Sequence, residues 1–305
     1  MSYGIEIIQE ELRNGFLGGH YQSDFSVKYK NILFDISINQ SIIRSIKITT
    51  DSSTDIDTLI DLFNKVDMLI MLGEGHFINI KEAKIINNED IEEEASILTN
   101  KLQHRLKMYN SADYVQGRHS YFLSFDKYLN QEKVEKWFSV IDELDILHQA
   151  VLYAMADTGV TIDCKCAVLI ESFKGLSELI EIYINQYNRP SVKNGESKLG
   201  VYLSSIIDKF GIDIFAEEIS VNKEKFMSVL VNSRNRIAHI KSKQNKLYLS
   251  GVESVLYAVK LSFLYRIVLL EILEVDYSLY SKNVKTSISK WNKWNGIMTA
   301  FKKKL

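Results

Sequence analysis

The sequence predicts an α+β protein in which a strand-rich N-terminal domain is followed by an all-α helical bundle. Before residue 129, apolar residues alternate with polar ones or cluster in β-branched runs, which is typical of strands. From residue 130 onward, apolar residues recur at helical spacing to the end of the chain. A length of 305 residues accommodates two ordinary domains. We therefore predict one domain over residues 1–128 and a second over residues 129–305.

The N-terminal domain is predicted to combine short strands with one amphipathic helix. Four segments have the alternating or β-branched pattern of strands, namely residues 25–29, 34–38, 42–48 and 77–86. Residues 55–72 carry apolar side chains at helical spacing, and the glycines that follow are expected to end this helix. Residues 89–110 are first acidic and then basic, and their pattern favours neither helix nor strand.

The C-terminal domain is predicted to be a succession of helices separated by glycine and proline. One helix begins near Asn222, a good N-cap residue, and the others span residues 134–156, 163–187, 197–210, 252–274 and 282–301. Ser250 and Glu253 have the spacing of a capping box before the most apolar of these helices. Because that helix contains three charged residues within its apolar run, we expect it in the bundle core rather than in a membrane.

Charge is distributed unevenly along a chain whose net charge is −2. Residues 1–128 hold 13 Lys and Arg against 19 Asp and Glu, whereas residues 129–305 hold 24 against 20. A basic C-terminal domain suits contact with an RNA backbone, although a lysine-rich tail that favours solubility explains the excess about as well. The N-terminus lacks the basic and apolar regions of a secretion signal, which predicts a cytoplasmic protein.

A short motif, Arg234-Asn235-Arg236-Ile237-Ala238-His239, lies in the helix that begins near Asn222. An arginine stabilises negative charge on a phosphate in a transition state. A histidine transfers a proton near neutral pH. Together with the polar side chain of Asn235, Arg234 and His239 suit the cleavage of RNA without a metal ion.

On an ideal helix the motif side chains do not all share one face. At about 100° per residue, Asn235, Arg236 and His239 fall opposite an apolar stripe, whereas Arg234 lies roughly 140° from His239. Arg234 must therefore reach round, meet a partner helix, or lie where the helix is distorted. By spacing alone, a solvated polar face with an ordinary surface histidine is the more common arrangement.

The motif resembles the Arg-x4-6-His motif of HEPN-domain ribonucleases, including the polar residue after the arginine. The helical segments around it, residues 167–186, 197–210 and 252–274, resemble the rest of a HEPN bundle. The first half of the chain is similar to the N-terminal domain of ApeA-type anti-phage proteins, through apolar runs at residues 66–73 and 121–125 and a helix that carries Trp137. The resemblance covers most of the chain.

The resemblance implies an endoribonuclease that acts in abortive infection. In this chemistry the RNA 2′-hydroxyl attacks the adjacent phosphate and leaves a 2′,3′-cyclic phosphate and a 5′-hydroxyl. His239 is implied as general acid or base, Arg234 as the group that stabilises the phosphorane-like charge, and Asn235 as a positioning group. Neither a cofactor nor a metal is implied.

Other residues are predicted to contact the substrate or the catalytic arginine. Arg236 and Lys241 are expected to bind phosphate. Glu171 and Glu178 lie on a neighbouring helix, where either carboxylate can orient an arginine of the motif or remain solvated.

The resemblance further implies a homodimer with a composite site, and a phage protein that triggers the N-terminal domain. The alternative is a HEPN domain that holds a nucleotide or assembles a complex, with Arg234, Arg236 and Lys241 binding a phosphate without chemistry.

Overall fold

A computed structural model describes residues 3–9, 20–41, 43–77, 79–86, 98, 102, 120–156, 159–239 and 246–305 of the chain. A sheet occupies the N-terminal part and helices follow it, which confirms the predicted α+β class. The chain divides into two compact units, Met1–Leu106 with Ser124–Ile141 and Lys107–Leu123 with Asp142–Leu305. This division does not coincide with the predicted boundary at residue 128, because residues 124–141 group with the sheet.

The described part of the first unit is built on an antiparallel sheet with the strand order β2-β3-β4-β1-β5. The strands are β1 (Tyr3–Gln9), β2 (Tyr21–Tyr29), β3 (Ile32–Gln40), β4 (Arg44–Thr50) and β5 (Ile80–Ile86). Strand β1 is not among the predicted strands, although Ile5 and Ile7 alternate with less buried residues as a half-buried strand requires. Because β1 pairs with both β4 and β5, it connects β5 to the rest of the sheet.

Helix α1 (Ile56–Glu74) lies where residues 55–72 predict a helix. Asp55 caps its N-terminus by accepting a hydrogen bond from the backbone N–H of Thr58 at 2.7 Å. Gly75 ends it in the left-handed conformation, with φ of 83°, that glycine adopts without strain. The glycine-rich end of the predicted helix is therefore confirmed.

A buried ion pair joins α1 to the sheet of the first unit. Arg44, at the start of β4, donates a hydrogen bond from Nη2 to Oε1 of Glu74 at 2.5 Å, and both side chains are almost completely buried. Arg44 also donates to Gln40, and its guanidinium lies 5.0 Å from the ring centroid of Phe125. Charges this deep require such partners, because an uncompensated buried charge is strongly destabilising.

The remaining helices follow the sheet, and all of them belong to the second unit apart from residues 131–141 of the first. They are α2 (Gln131–Met155), α3 (Ile162–Tyr183), α4 (Lys198–Phe210), α5 (Ile212–Ala238), α6 (Val252–Ile272), α7 (Ser281–Lys293) and α8 (Ile297–Lys302). They match the predicted segments to within a few residues, apart from the start of α5 and the interruption of the last one. There Asn295 and Gly296 have φ of 49° and 66°, so α7 and α8 are separate helices.

Helix α6 is the central helix of the second unit and is buried along almost its whole length. The fully buried Lys260 donates to Oε1 of Glu218 on α5 at 2.5 Å, and Tyr257 donates to the same oxygen at 2.9 Å. Burial lowers the pKa of Lys260, which the nearby Glu218 partly counteracts. This pairing explains how a charged residue occupies the bundle core, as the sequence predicts for this helix.

No helix in the described part of the chain is long and apolar enough to cross a membrane.

The predicted capping box of Ser250 and Glu253 at the start of α6 is wrong. Gly251 occupies the cap position with φ of 56°, and no side chain closes the helix locally. Instead Asp163, in the first turn of α3, accepts hydrogen bonds from Gly251 N at 2.9 Å and from Ser254 Oγ at 2.6 Å. A carboxylate from a neighbouring helix thus replaces the local cap, which is a tertiary contact that sequence spacing does not reveal.

Candidate active site

The motif lies in the second half of α5, which begins at a break in the helix. Asn222 has an extended backbone, with φ of −164° and ψ of 94°, and its Oδ1 accepts a hydrogen bond from Lys225 N at 3.0 Å. Asn222 therefore caps the motif segment, as the sequence predicts, although helical residues also precede it. Phe226, Val229 and Leu230 are fully buried, so they fix the rotation of this segment against the bundle.

Arg234 is held between two side-chain oxygen atoms. Its Nε donates to Oε2 of Glu171 on α3 at 2.6 Å, and its Nη1 donates to Oδ1 of Asn235 at 3.0 Å. About a quarter of the Arg234 side chain and somewhat more of the Glu171 side chain remain exposed, so solvent screens this pair. The main effect of the contacts is on geometry, because a planar guanidinium held at two nitrogens has a fixed orientation.

His239 marks the end of the same helix. It is the C-cap residue, with φ of −109° and ψ of 5°, and its backbone N–H donates to the carbonyl oxygen of Asn235 at 3.2 Å. The residue is exposed. Within the described part of the chain no hydrogen bond joins the side chains of Arg234 and His239. The side chain of Arg234 contacts α3. Of the three possibilities that the helix geometry allows, Arg234 therefore meets a partner helix, and that helix belongs to the same chain.

Arg236 is bound to an aromatic ring rather than to a carboxylate. Its guanidinium carbon lies 4.1 Å from the ring centroid of Tyr248, a distance that permits a cation–π interaction. Among the described residues no acidic side chain pairs with Arg236. The positive charge of Arg236 is therefore more available to a phosphate than the charge of Arg234, which Glu171 offsets.

The segment that carries Tyr248, residues 246–250, is fixed to the motif helix on both sides of the ring. Asn232 donates from Nδ2 to the carbonyl oxygen of Leu247 at 3.2 Å. The backbone N–H of Leu249 donates to Oγ of Ser233 at 2.8 Å, and Leu249 is buried. These two bonds hold Tyr248 beside Arg236. Tyr248 is not a predicted site residue, and its only sequence signal is an aromatic residue between two leucines.

The remaining predicted residues have different surroundings. Lys241 lies outside the described residues. Glu178 accepts a hydrogen bond from Arg189 at 3.0 Å, so of the two glutamates proposed for α3 it is Glu171 that contacts the motif. Among the described residues no group of three or more His, Cys, Asp or Glu side chains is placed to hold a metal ion.

His148 of α2 is a buried histidine of the second unit. A ring nitrogen lies 2.8 Å from the hydroxyl oxygen of Tyr265, and the two rings stack with centroids 6.0 Å apart. Burial lowers the pKa of His148 to about 4. The residue is consistent with a structural role in the packing of α2.

Comparison with known proteins identifies a related family for the part of the chain that carries the motif. Residues 168–279 match the sequence model of the Apea-like HEPN family. The matched segment begins in α3, continues through α6, and contains Glu171 as well as the whole motif. No curated protein and no solved structure matches the chain. Residues 168–279 of this chain are therefore an Apea-like HEPN domain.

Proposed function

We propose that this protein is an endoribonuclease that cleaves cellular RNA in the course of anti-phage abortive infection. One observation carries the proposal: Glu171 and Asn235 hold the guanidinium of Arg234 on the helix that ends at the exposed His239. A preoriented cation and a solvent-accessible imidazole on one short helical segment suit phosphoryl chemistry. The HEPN domain that contains them supports the same conclusion.

The proposed reaction is an internal transesterification. The 2′-oxygen of a ribose attacks the adjacent phosphorus while a general base removes its proton. The bond to the 5′-oxygen of the next nucleotide breaks, and a general acid protonates that oxygen. The products are a 2′,3′-cyclic phosphate and a 5′-hydroxyl. His239 performs one of the two proton transfers, and Arg234 stabilises the negative charge that develops on the phosphorane.

We further propose that the active form is a homodimer assembled through residues 129–305. In one chain, Arg234 is directed at α3 and no hydrogen bond between described residues joins its side chain to that of His239. A two-fold axis beside the motif helix places Arg234 near His239 of the partner subunit, and two histidines then supply both the acid and the base. Strictly monomeric protein with full activity would exclude this assembly.

Residues 1–128 are proposed to sense infection rather than to contact RNA. This part of the chain holds 13 basic against 19 acidic residues, so its net charge repels a phosphate backbone. We propose that a phage protein binds it and releases the ribonuclease. In infected bacteria the wild-type chain is expected to lower phage yield and arrest growth, whereas a chain with His239→Ala is expected to do neither.

Incubation of the purified protein with total RNA, with and without EDTA, is the decisive experiment. Cleavage that continues in EDTA and leaves cyclic phosphate ends supports the proposal. Cleavage that stops in EDTA, or that His239→Ala leaves at the wild-type rate, contradicts the mechanism.

The alternative function is a nucleotide-binding or assembly module without catalysis. The contact that favours it is the pairing of Arg234 with Glu171, because a carboxylate next to the arginine weakens its attraction for a phosphate. Such a module binds RNA or nucleotides in a salt-dependent manner but leaves them intact. Binding without cleavage across a range of RNA substrates would favour this function.

A further inference from the structure

A groove of about 900 Å³ lies beside the motif, between α4 and α5 of the second unit. Its size is within the range of about 300–1,000 Å³ that is typical of ligand pockets. Gly200 of α4 lines it at a close approach of the two helices, where a Cβ atom would come 3.3 Å from Cγ2 of Val231. No part of the candidate active site described above, other than Asn232, lines this groove.

The groove and the motif share one face of the same helix. Glu224, Ser228 and Asn232 line the groove at intervals of four residues, and Arg236 is the next residue in that series. Residues four apart are neighbours on a helix surface, so Arg236 lies one helical turn beyond Asn232, the last residue of α5 that lines the groove. A ligand whose phosphate contacts Arg236 therefore has the groove immediately beside it.

The chemistry of the groove does not suit a phosphate. Its charged lining residues are two lysines and three acids: Lys193, Lys223, Glu196, Asp208 and Glu224. Lys223 is paired with Asp208 at 2.6 Å, which leaves little free positive charge. Val201, Met227 and Val231 supply apolar surface, and several serines supply hydroxyl groups. The groove therefore suits a flat uncharged group that has apolar faces and polar edges.

We propose that this groove binds the nucleobase of an unpaired nucleotide next to the scissile phosphate, while Arg236 binds a phosphate. The inference rests on the proposed ribonuclease function and adds to it the origin of sequence preference. Single-stranded RNA is read in this way, by splayed bases that enter pockets and form hydrogen bonds along their edges. The carboxylate of Glu224 has no hydrogen-bond or ion-pair partner among the described residues, and it accepts hydrogen bonds from amino groups of the base.

The test uses the whole 305-residue chain and a single-stranded RNA of random sequence. Ser228→Phe fills the groove from an exposed position on α5, and Ser220→Phe is the matched control. Both serines are exposed and donate to a carbonyl oxygen of the preceding turn, from Ser228 to Glu224 and from Ser220 to Glu217, but only Ser228 lines the groove. Sequencing of the cleaved ends gives the base preference on each side of the cut.

Ser228→Phe is expected to weaken the wild-type preference at one position beside the cut by about tenfold, since a good base contact discriminates by a factor of about 5 to 150. Ser220→Phe is expected to keep the wild-type profile. Glu224→Gln, a milder change at an exposed residue, is expected to alter the preferred base at the same position and to leave the salt dependence of binding unchanged. Arg236→Ala is expected to leave the preferred base unchanged and to reduce the salt dependence of binding.

The possible results separate this inference from the function on which it rests. Wild-type protein that cleaves no RNA overturns both. Cleavage by the wild type without any base preference overturns only the proposal that the groove binds a nucleobase. The same proposal is overturned if both Ser228→Phe and Glu224→Gln keep the wild-type profile. Light scattering gives the remaining outcome: if Ser228→Phe but not Ser220→Phe turns a dimer into monomers, the groove holds a second copy of the chain and not a nucleobase.

Discussion

The side chain of Arg234 on α5 is bound to the carboxylate of Glu171 on α3, with 2.6 Å between Nε and Oε2. The pair links two helices through residues that are 63 positions apart in sequence. It holds the guanidinium of Arg234 against α3 at a partly exposed position. The contact gives Glu171 a positioning role for the arginine.

Replacing Glu171 with glutamine tests this positioning role. The amide keeps the size of the side chain but loses the charge, and a charge-assisted hydrogen bond is roughly twice as strong as a neutral one. We expect kcat for RNA cleavage to fall about tenfold with little change in KM. Glu178→Gln is the matched control on the same helix, because Glu178 pairs with Arg189 instead. An equal loss in both variants would indicate a general effect on α3.

Replacing His239 with alanine separates catalysis from stability. The side chain is exposed at the end of α5, so its removal is expected to change the free energy of unfolding by no more than about 0.5 kcal/mol. RNA cleavage is expected to disappear because the proton transfer is lost. Cleavage assays and urea unfolding of the same preparation check both statements. His20→Ala, at another exposed histidine, is expected to keep full activity.

The ring of Tyr248 is expected to support Arg236. Tyr248→Leu removes the cation–π interaction, which is worth about 0.5–1 kcal/mol at an exposed site, and should weaken RNA binding about threefold. Tyr248→Phe retains a ring and is expected to bind nearly as the wild type does. Arg236→Ala should reduce the slope of log K against log salt by about one, because one phosphate contact is lost. Binding titrations at several salt concentrations measure these effects, and equal affinities for Tyr248→Leu and Tyr248→Phe would exclude the supporting role.

His148 is expected to make the second unit sensitive to acid. Its pKa is lowered to about 4 by burial, whereas a free histidine titrates near 6.5, so the unfolded chain binds more protons between these values. Stability is therefore full above pH 6.5 and falls as the pH drops towards 4, with a loss of about 2 kcal/mol at pH 5.

Urea unfolding of the wild type and of His148→Gln at pH 7 and pH 5 tests this expectation. Glutamine does not titrate in this range, so the variant should lose less stability on acidification than the wild type. His20→Gln removes an exposed histidine and should follow the wild-type profile. A His148→Gln profile as steep as that of the wild type would assign the acid sensitivity to other groups.

The sequence by itself determined much of the local structure. Asp55 and Gly75 delimit α1, and Asn222 caps the motif segment, because capping depends on residue types that are adjacent in sequence. The helical period of apolar residues after residue 130 predicted the helices of the bundle and the buried face of the motif helix. The motif itself is a local pattern as well, so the sequence alone identifies Arg234, Asn235 and His239 as candidate site residues.

Only the tertiary structure decided which distant side chains meet. The sequence permits Glu171 or Glu178 to approach the motif, and the packing of α3 against α5 selects Glu171. Tyr248 reaches Arg236 because residues 246–250 return along α5, and Asp163 replaces the expected cap of α6. Each of these contacts depends on how helices pack after side chains are buried. Periodicity along one segment reports which face is buried, but it does not report which residue of another segment lies against that face.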